Sequence, residues 1–126
     1  MLRSLPLAAI LLALALPLPA AVAKGGGDDR DRGSCGRGAT SELRVQDQGD
    51  GLRMRFRVDT RRGGQSWRVV VTQERRVVLR SRARTSAGGA FRLERRLRDL
   101  AGSDTVSVRA SGPNGLTCNA SVTLWG

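Results

Sequence analysis

Apolar and polar residues alternate with a period of two along most of the chain after residue 39. The clearest stretch is 52–58, where Leu, Met, Phe and Val alternate with arginines. Such alternation is typical of a β-strand that buries one face and exposes the other to water. Six further segments show the same pattern, and turn-forming runs such as 112–115 separate them. The sequence therefore predicts seven short antiparallel strands and no convincing helix.

Seven strands with one apolar face each need a second apolar surface to cover them. Two sheets packed face to face provide it, whereas a single sheet leaves its apolar face in water. We expect an all-β fold, a seven-stranded antiparallel β-sandwich, with a five-stranded closed barrel as the alternative. Trp67 is expected near the centre of the core. The residues predicted to face inward are Leu43, Val45, Leu52, Met54, Phe56, Val58, Trp67, Val69, Val71, Leu79, Phe91, Leu93, Val106, Val108, Leu116, Cys118, Ala120 and Val122.

Residues 1–23 have the three parts of a signal peptide. Arg3 supplies the positive charge, 5–16 is apolar, and Ala21-Val22-Ala23 fits the small-residue rule for cleavage before Lys24. An uncleaved membrane anchor is the alternative, because 5–23 is a stretch of 19 residues of low polarity. A helix that spans a membrane needs about 20 apolar residues. We expect a cleaved signal peptide, a secreted or extracytoplasmic protein, and no stable membrane insertion after cleavage.

Beyond the cleavage site, residues 24–34 are rich in Gly and Asp and contain no apolar residue. This composition predicts a flexible leader before a single domain at 35–126. Cys35 and Cys118 are the only cysteines, and an exported protein meets an oxidising compartment. A disulfide between them is therefore expected, and it would stabilise the domain by about 4–5 kcal/mol in the chain-entropy model.

The formal charge of the chain is +11, which becomes +10 after cleavage because only Arg3 is lost. Lys24 is the single lysine, and the Arg, Ala and Gly bias is typical of a G+C-rich genome, so codon usage alone is one explanation of the charge. The other explanation is a polyanion contact through two outward rows, which we expect on different sheets. The alternative for the rows themselves is a solvated surface that covers apolar area and discourages edge pairing. The rows are Arg53, Arg55 and Arg57, and Arg80, Arg82 and Arg84.

The composition argues against catalysis. The chain has no histidine and no tyrosine, and two isolated cysteines cannot complete a tetrahedral zinc site. Its carboxylates lie at turns or outward positions, and nothing selects a catalytic pair. We expect no enzyme activity, no metal and no cofactor. Because the other aromatic residues point inward, only Trp125 remains as a stacking platform, so sequence-specific nucleic-acid binding is not expected.

The predicted strand count, Trp67 at the start of the third strand, and 100–104 before the strand 106–110 give the chain a resemblance over about 39–125. On these features it resembles an immunoglobulin-like or fibronectin type III-like domain. It departs from antibody domains because it lacks a tyrosine corner and its cysteines are not on the usual strands.

A second set of features is made of short motifs: Cys35, Gly64-Gln65-Ser66-Trp67, Gly89-Ala90-Phe91, Gly102-Ser103-Asp104 and Gly115-Leu116-Thr117-Cys118. In these the chain resembles a group of small, largely uncharacterised exported proteins from G+C-rich, actinobacterial-type bacteria. Both resemblances imply a fold and no activity.

Two classes of function remain open from the sequence. The first is a non-catalytic exported binding or structural module that contacts anionic cell-envelope polymer or another protein. The alternative is a small-ligand carrier, similar to the immunoglobulin-like chromoprotein apoproteins of actinobacteria, although those have two disulfides and this chain can form one. An open apolar cleft would favour the carrier, and a filled core with flat basic faces would favour the module.

We predict that the mature protein begins at Lys24, because Ala21 and Ala23 fill the small-residue positions that signal peptidases require. N-terminal sequencing of the secreted protein checks this. A mature start upstream of residue 20, or an intact Met1, contradicts it.

Overall fold

The computed structural model describes residues 27–125. The predicted signal peptide and residues 24–26 of the predicted leader lie outside the described residues. A 3₁₀ turn, Pro113–Gly115, precedes the last strand. The strands are β1 (Asp28–Gly36), β2 (Ala39–Asp47), β3 (Leu52–Asp59), β4 (Ser66–Gln73), β5 (Arg76–Arg84), β6 (Ala90–Leu97), β7 (Asp104–Ser111) and β8 (Thr117–Leu124).

These strands form two four-stranded antiparallel sheets. The first sheet has the order β1-β2-β3-β6, and the second sheet has the order β5-β4-β7-β8. Apolar side chains of both sheets share one core, so the predicted all-β sandwich is confirmed, and its architecture is compatible with an immunoglobulin-like fold. Within 27–125, no helix is long and apolar enough to cross a membrane.

The strand count differs from the prediction, because the structure has eight strands where the sequence predicts seven. The additional strand, β1, occupies most of the segment 24–34 that its composition assigns to a flexible leader, so this assignment is wrong for residues 28–34. Before Cys35, β1 contains no apolar residue, and a search for alternating hydrophobicity cannot detect such a strand.

Polar contacts and the backbone ladder hold β1 against β2 instead of apolar packing. Arg32 Nε donates a hydrogen bond to Glu42 Oε2 at 2.8 Å. The guanidinium of Arg44 donates two hydrogen bonds to the Asp28 carboxylate, at 3.0 and 2.7 Å. The two-pronged geometry of the Arg44 contact gives it direction as well as charge attraction.

The predicted disulfide between Cys35 and Cys118 is present. Their Cα atoms are 4.6 Å apart, within the usual range of about 4.4–6.8 Å. Cys35 is the penultimate residue of β1 in the first sheet and Cys118 lies in β8 of the second sheet, so the bond joins the two sheets. Nearby, the carboxylate of Asp31 accepts a hydrogen bond from the Ser121 N–H at 2.9 Å. Strand β1 is thus fastened to both sheets.

The core agrees with the predicted inward set. All of these residues are buried except Leu79 and Leu116, which are partly buried and pack against the core. Leu79 lies on β5, an edge strand of the second sheet, where no further strand covers it. The Trp67 side chain is 1% exposed, and its ring centroid is 5.8 Å from that of Phe91. Phe56 meets Phe91 edge-on at 6.2 Å, so three aromatic rings form the centre of the sandwich.

Two buried threonines fix the loops that carry the chain between the sheets. Thr60 Oγ1 donates to the Gly89 carbonyl at 2.9 Å, and Thr85 Oγ1 donates to the Arg62 carbonyl at 2.7 Å. Gly89 has a φ of +92°, and a side chain there would collide with the backbone of Arg61 and Arg62. These contacts hold the end of β5 in place.

A buried aspartate stabilises the turn before β7. Asp104 Oδ1 accepts hydrogen bonds from Gln73 Nε2 at 3.0 Å and from the Leu100 N–H at 3.2 Å. The hydrogen bond with Asp104 raises the pKa of Asp99, and desolvation and the negative charges of Asp47 and Asp104 add to this effect.

We expect Asp99→Asn to stabilise the protein at neutral pH. Because the folded-state pKa of Asp99 is raised, its favourable contribution is present below the unfolded pKa and is lost as pH rises through the folded pKa. Replacing the carboxylate with an amide should therefore raise Tm at pH 7 and change it little near pH 3. Circular dichroism melts at both pH values measure this difference. A variant with an unchanged or lower Tm at pH 7 contradicts the prediction.

We also expect Trp67→Ala to destabilise the fold by about 3–5 kcal/mol, because it leaves a large cavity at the centre of the core. Gly112 lies against the Trp67 indole, and a Cβ at this position would overlap the ring. Gly112→Ala should therefore cost about 1–3 kcal/mol through overpacking.

Gly33→Ala is the matched control for Gly112→Ala, because the nearest atom to its new methyl group is Ser41 Oγ at 4.0 Å. Urea unfolding of the three variants provides the comparison. Equal stability of Gly112→Ala and Gly33→Ala would show that Trp67 does not constrain position 112.

Candidate polyanion-binding surface

Each arginine of the row on β3 has a carboxylate within 4.0 Å, and two carboxylates serve the three arginines. Arg53, Arg55 and Arg57 point outward from the middle of the first sheet. Arg53 Nη2 lies 3.1 Å from Glu94 Oε2, and Arg55 Nε lies 3.3 Å from Glu94 Oε1. The Arg55 contact is close enough for charge attraction but lacks hydrogen-bond geometry. Arg57 Nη2 is 4.0 Å from Asp59 Oδ2. All three predicted residues therefore have an acidic neighbour.

The rest of this outer face, which we call the first face, also mixes both signs of charge. Its carboxylates are Asp28, Glu42 and Glu94, set among arginines of all four strands. Hydrogen bonding from Arg44 lowers the pKa of Asp28, and hydrogen bonding from Arg53, aided by nearby arginine charges, lowers the pKa of Glu94. In both cases the arginine contact favours the ionised form of the carboxylate.

The second predicted row, on β5, has a different environment. Arg80, Arg82 and Arg84 are exposed and point outward from the edge strand of the second sheet. In the described part of the chain, none of them forms an ion pair. The two rows lie on different sheets, as the sequence predicts, and only this one keeps its charge uncompensated.

Two arginines that the sequence does not single out belong to the same surface. Arg68 on β4 lies directly opposite Arg82. Val70 on β4 has Arg80 as its neighbour on one side and Arg109 of β7 on the other. Arg68 and Arg109 are each the single outward arginine of their strand, so only the strand order shows that they belong to a cluster. We call this set the arginine cluster; it comprises Arg68, Arg80, Arg82, Arg84 and Arg109.

A strip of hydroxyl groups continues the same outer face toward β8. The hydroxyls of Ser107 and Ser121 are 3.0 Å apart, and those of Thr105 and Thr123 are also 3.0 Å apart. Asn119 lies opposite Arg109 and joins the strip to the arginine cluster. The outer face of the second sheet, which we call the second face, therefore combines arginines that form no ion pair with neutral hydrogen-bonding groups, and Asp31 contacts it at β8.

Shallow hollows lie between these side chains. One, of about 540 Å³, is lined by residues that include Arg68, Arg82, Arg84 and Ser111. Another, of about 560 Å³, is lined by residues that include Arg109, Ser107 and the acidic Asp31. Open hollows of this kind suit a ligand that lies along the sheet.

The described residues offer little for other chemistry. Among residues 27–125 there is no group of three or more His, Cys, Asp or Glu side chains that could hold a metal ion. Both cysteines are in the disulfide. Asp104, the buried carboxylate, is engaged by hydrogen bonds from Gln73 and from backbone.

Comparison with known proteins adds no assignment. No protein-family model, curated protein or solved structure matches this chain.

Proposed function

We propose that this protein is a non-catalytic exported binding module that holds an anionic polymer of the cell envelope on the outer face of its second sheet. The observation that carries the proposal is the arginine cluster, five exposed guanidinium groups with no carboxylate partner among residues 27–125. The disulfide is compatible with an oxidising compartment outside the cytoplasm.

The strand order supports an immunoglobulin-like, and in particular a fibronectin type III-like, assignment. Strands β2 to β8 can be labelled A, B, C, C′, E, F and G, with β1 as an extra strand before A. Trp67 then lies on strand C, where antibody domains also carry a buried tryptophan. The disulfide differs, because it joins the extra strand to strand G and not B to F. The resemblance to small exported proteins of actinobacterial-type bacteria fits this architecture.

Electrostatics favours an anionic partner on the second face. Arg68 and Arg82 face one another directly across β4 and β5, and like charges in such positions destabilise a sheet. An anion between the guanidinium groups removes this repulsion. Because the arginines are exposed, the attraction is screened beyond about 8–10 Å near physiological ionic strength, so binding should be weak and salt-dependent.

The filled core supports the module over the small-ligand carrier. The space between the sheets contains tightly packed side chains of both sheets, among them Trp67, Phe56 and Met54, each at most 1% exposed. A carrier of this fold needs an apolar cleft. Recognition of another protein through the loops is the remaining alternative.

We predict that replacing Arg80, Arg82 and Arg84 together by Ser will remove most of the low-salt retention of the protein on purified cell-wall polymer. The matched control replaces Arg53, Arg55 and Arg57 by Ser. This control changes the net charge by the same amount, but it removes arginines that contact Glu94 or Asp59. Its loss of retention should therefore be clearly smaller.

Circular dichroism melts establish that both triple variants fold. Equal losses would show that net charge alone determines retention, and the second face would then have no special role. No loss in either variant would make the arginines ordinary surface, with a protein as the partner.

Removing a carboxylate from the first face tests the same proposal in the opposite direction. Glu94→Gln removes the carboxylate that holds Arg53 and Arg55. These two arginines then become available to anions, so retention on the same polymer should increase. Elution salt concentration is the measurement. Unchanged elution would contradict the view that Glu94 masks the first face.

A further inference from the structure

A shallow trough runs along β4 between two basic walls. Arg80 and Arg82 on β5 form one wall, and Arg109 on β7 forms the other. The floor between Arg80 and Arg109 is Val70, which is half-buried. A hollow of about 330 Å³ lies between β4 and β5, and its lining includes Arg68, Arg80 and Arg82. The arginines at alternate positions along β5 favour a linear ligand.

The walls present their charges at a regular interval. Outward residues on a strand are two positions apart, so Arg80, Arg82 and Arg84 start from Cα atoms spaced about 6.5–7 Å along β5. A chain in which three-carbon units link phosphates has six bonds per repeat. Its extended repeat is about 7 Å, since three backbone bonds of a polypeptide span about 3.3–3.6 Å. The two intervals therefore agree.

The guanidinium group is well suited to phosphate. Its planar fork donates two parallel hydrogen bonds to phosphate oxygens. The hydroxyl strip beside Arg109 offers donors and acceptors to a ligand that carries hydroxyl groups of its own. The face therefore suits alternating phosphate and hydroxyl-bearing units.

Single-stranded nucleic acid has a similar phosphate spacing, but the trough lacks what its bases require. Nonspecific single-strand binding depends on aromatic side chains on which bases stack. Phe56, Phe91 and Trp67 are buried in the core. Trp125 is exposed, but it follows the end of β8 that pairs with Asp104, at the opposite end of the sheet from Arg84.

We infer that the trough binds a linear polyol phosphate, with successive phosphates along the arginines of β5 and Arg68 and Arg109 closing on the chain from the floor and the far wall. This inference rests on the proposed function and adds to it the chemical class and direction of the polymer.

The test compares three polymers of equal total charge: poly(glycerol phosphate), polygalacturonate and oligodeoxythymidylate. The protein is expressed from its full sequence, including residues 1–23. Calorimetric titration of this protein measures its affinity for each polymer across a salt series. Poly(glycerol phosphate) should bind at least tenfold more tightly than the other two. With five arginines engaged, log K should fall with log salt with a slope of about −3.5, taking about 0.7 per phosphate contact for a single strand.

Two variants locate the site. Arg109→Ser removes the far wall and should reduce the slope by about 0.7. Arg92→Ser removes an exposed arginine of the first sheet that forms no ion pair among residues 27–125, so it is the matched control and should leave the slope unchanged. An unchanged slope in Arg109→Ser overturns the inference.

The other outcomes separate the two proposals. Equal affinity for poly(glycerol phosphate) and polygalacturonate overturns the polyol phosphate assignment and leaves general polyanion binding intact. Tightest binding to oligodeoxythymidylate also overturns it, in favour of single-stranded nucleic acid. If no polymer binds, both the proposed function and this inference fail.

Discussion

In a sandwich each strand has one outward face, and on every described strand except β8 that face carries arginine. As a result, arginines lie directly opposite one another across strands of both sheets, as Arg57 does with Arg92 and Arg68 with Arg82. Such like-charge pairs oppose folding. The apolar core must therefore offset the repulsion among arginines on the outer face of each sheet. The positions of the carboxylates determine which of these arginine charges are compensated.

Carboxylates compensate arginine charges mainly on the first sheet, and strand β1 supplies one of these carboxylates. Asp28 on β1 binds Arg44, while Glu94 on β6 lies between Arg53 and Arg55. The disulfide keeps β1 in place because it ties Cys35 to the opposite sheet. On the outer face of the second sheet, the Asp31 carboxylate shares a hollow with Arg109 but bonds the Ser121 N–H. No arginine of the cluster forms an ion pair among residues 27–125, so the cluster remains available to an external anion. The asymmetry between the faces follows from which strands carry acids.

The sequence predicts the apolar half of this structure well. Period-two alternation identifies β2 to β8 and nearly the whole core, because each of these strands must bury one face. The same method cannot detect β1, whose contacts are polar. It also finds the two arginine rows but not Arg68 and Arg109, because single outward arginines become a cluster only when β4 is placed between β5 and β7.

Ion pairing was likewise beyond reach from the sequence. The rows on β3 and β5 look equivalent as strings of alternating arginine, yet Glu94 lies 41 positions from Arg53 along the chain. Its effect depends on β6 pairing with β3. Strand order is a long-range property that local alternation does not encode, and here it determines which arginines are free to bind.

The central claim is that anions bind the second face and not the first, and an NMR titration tests it most directly. Addition of poly(glycerol phosphate) to isotopically labelled protein should shift the side-chain Nε–Hε resonances of the arginine cluster. Those of Arg53, Arg55 and Arg57, held by carboxylates, should move little. Shifts concentrated on the first face, or spread evenly over all exposed arginines, would contradict the account.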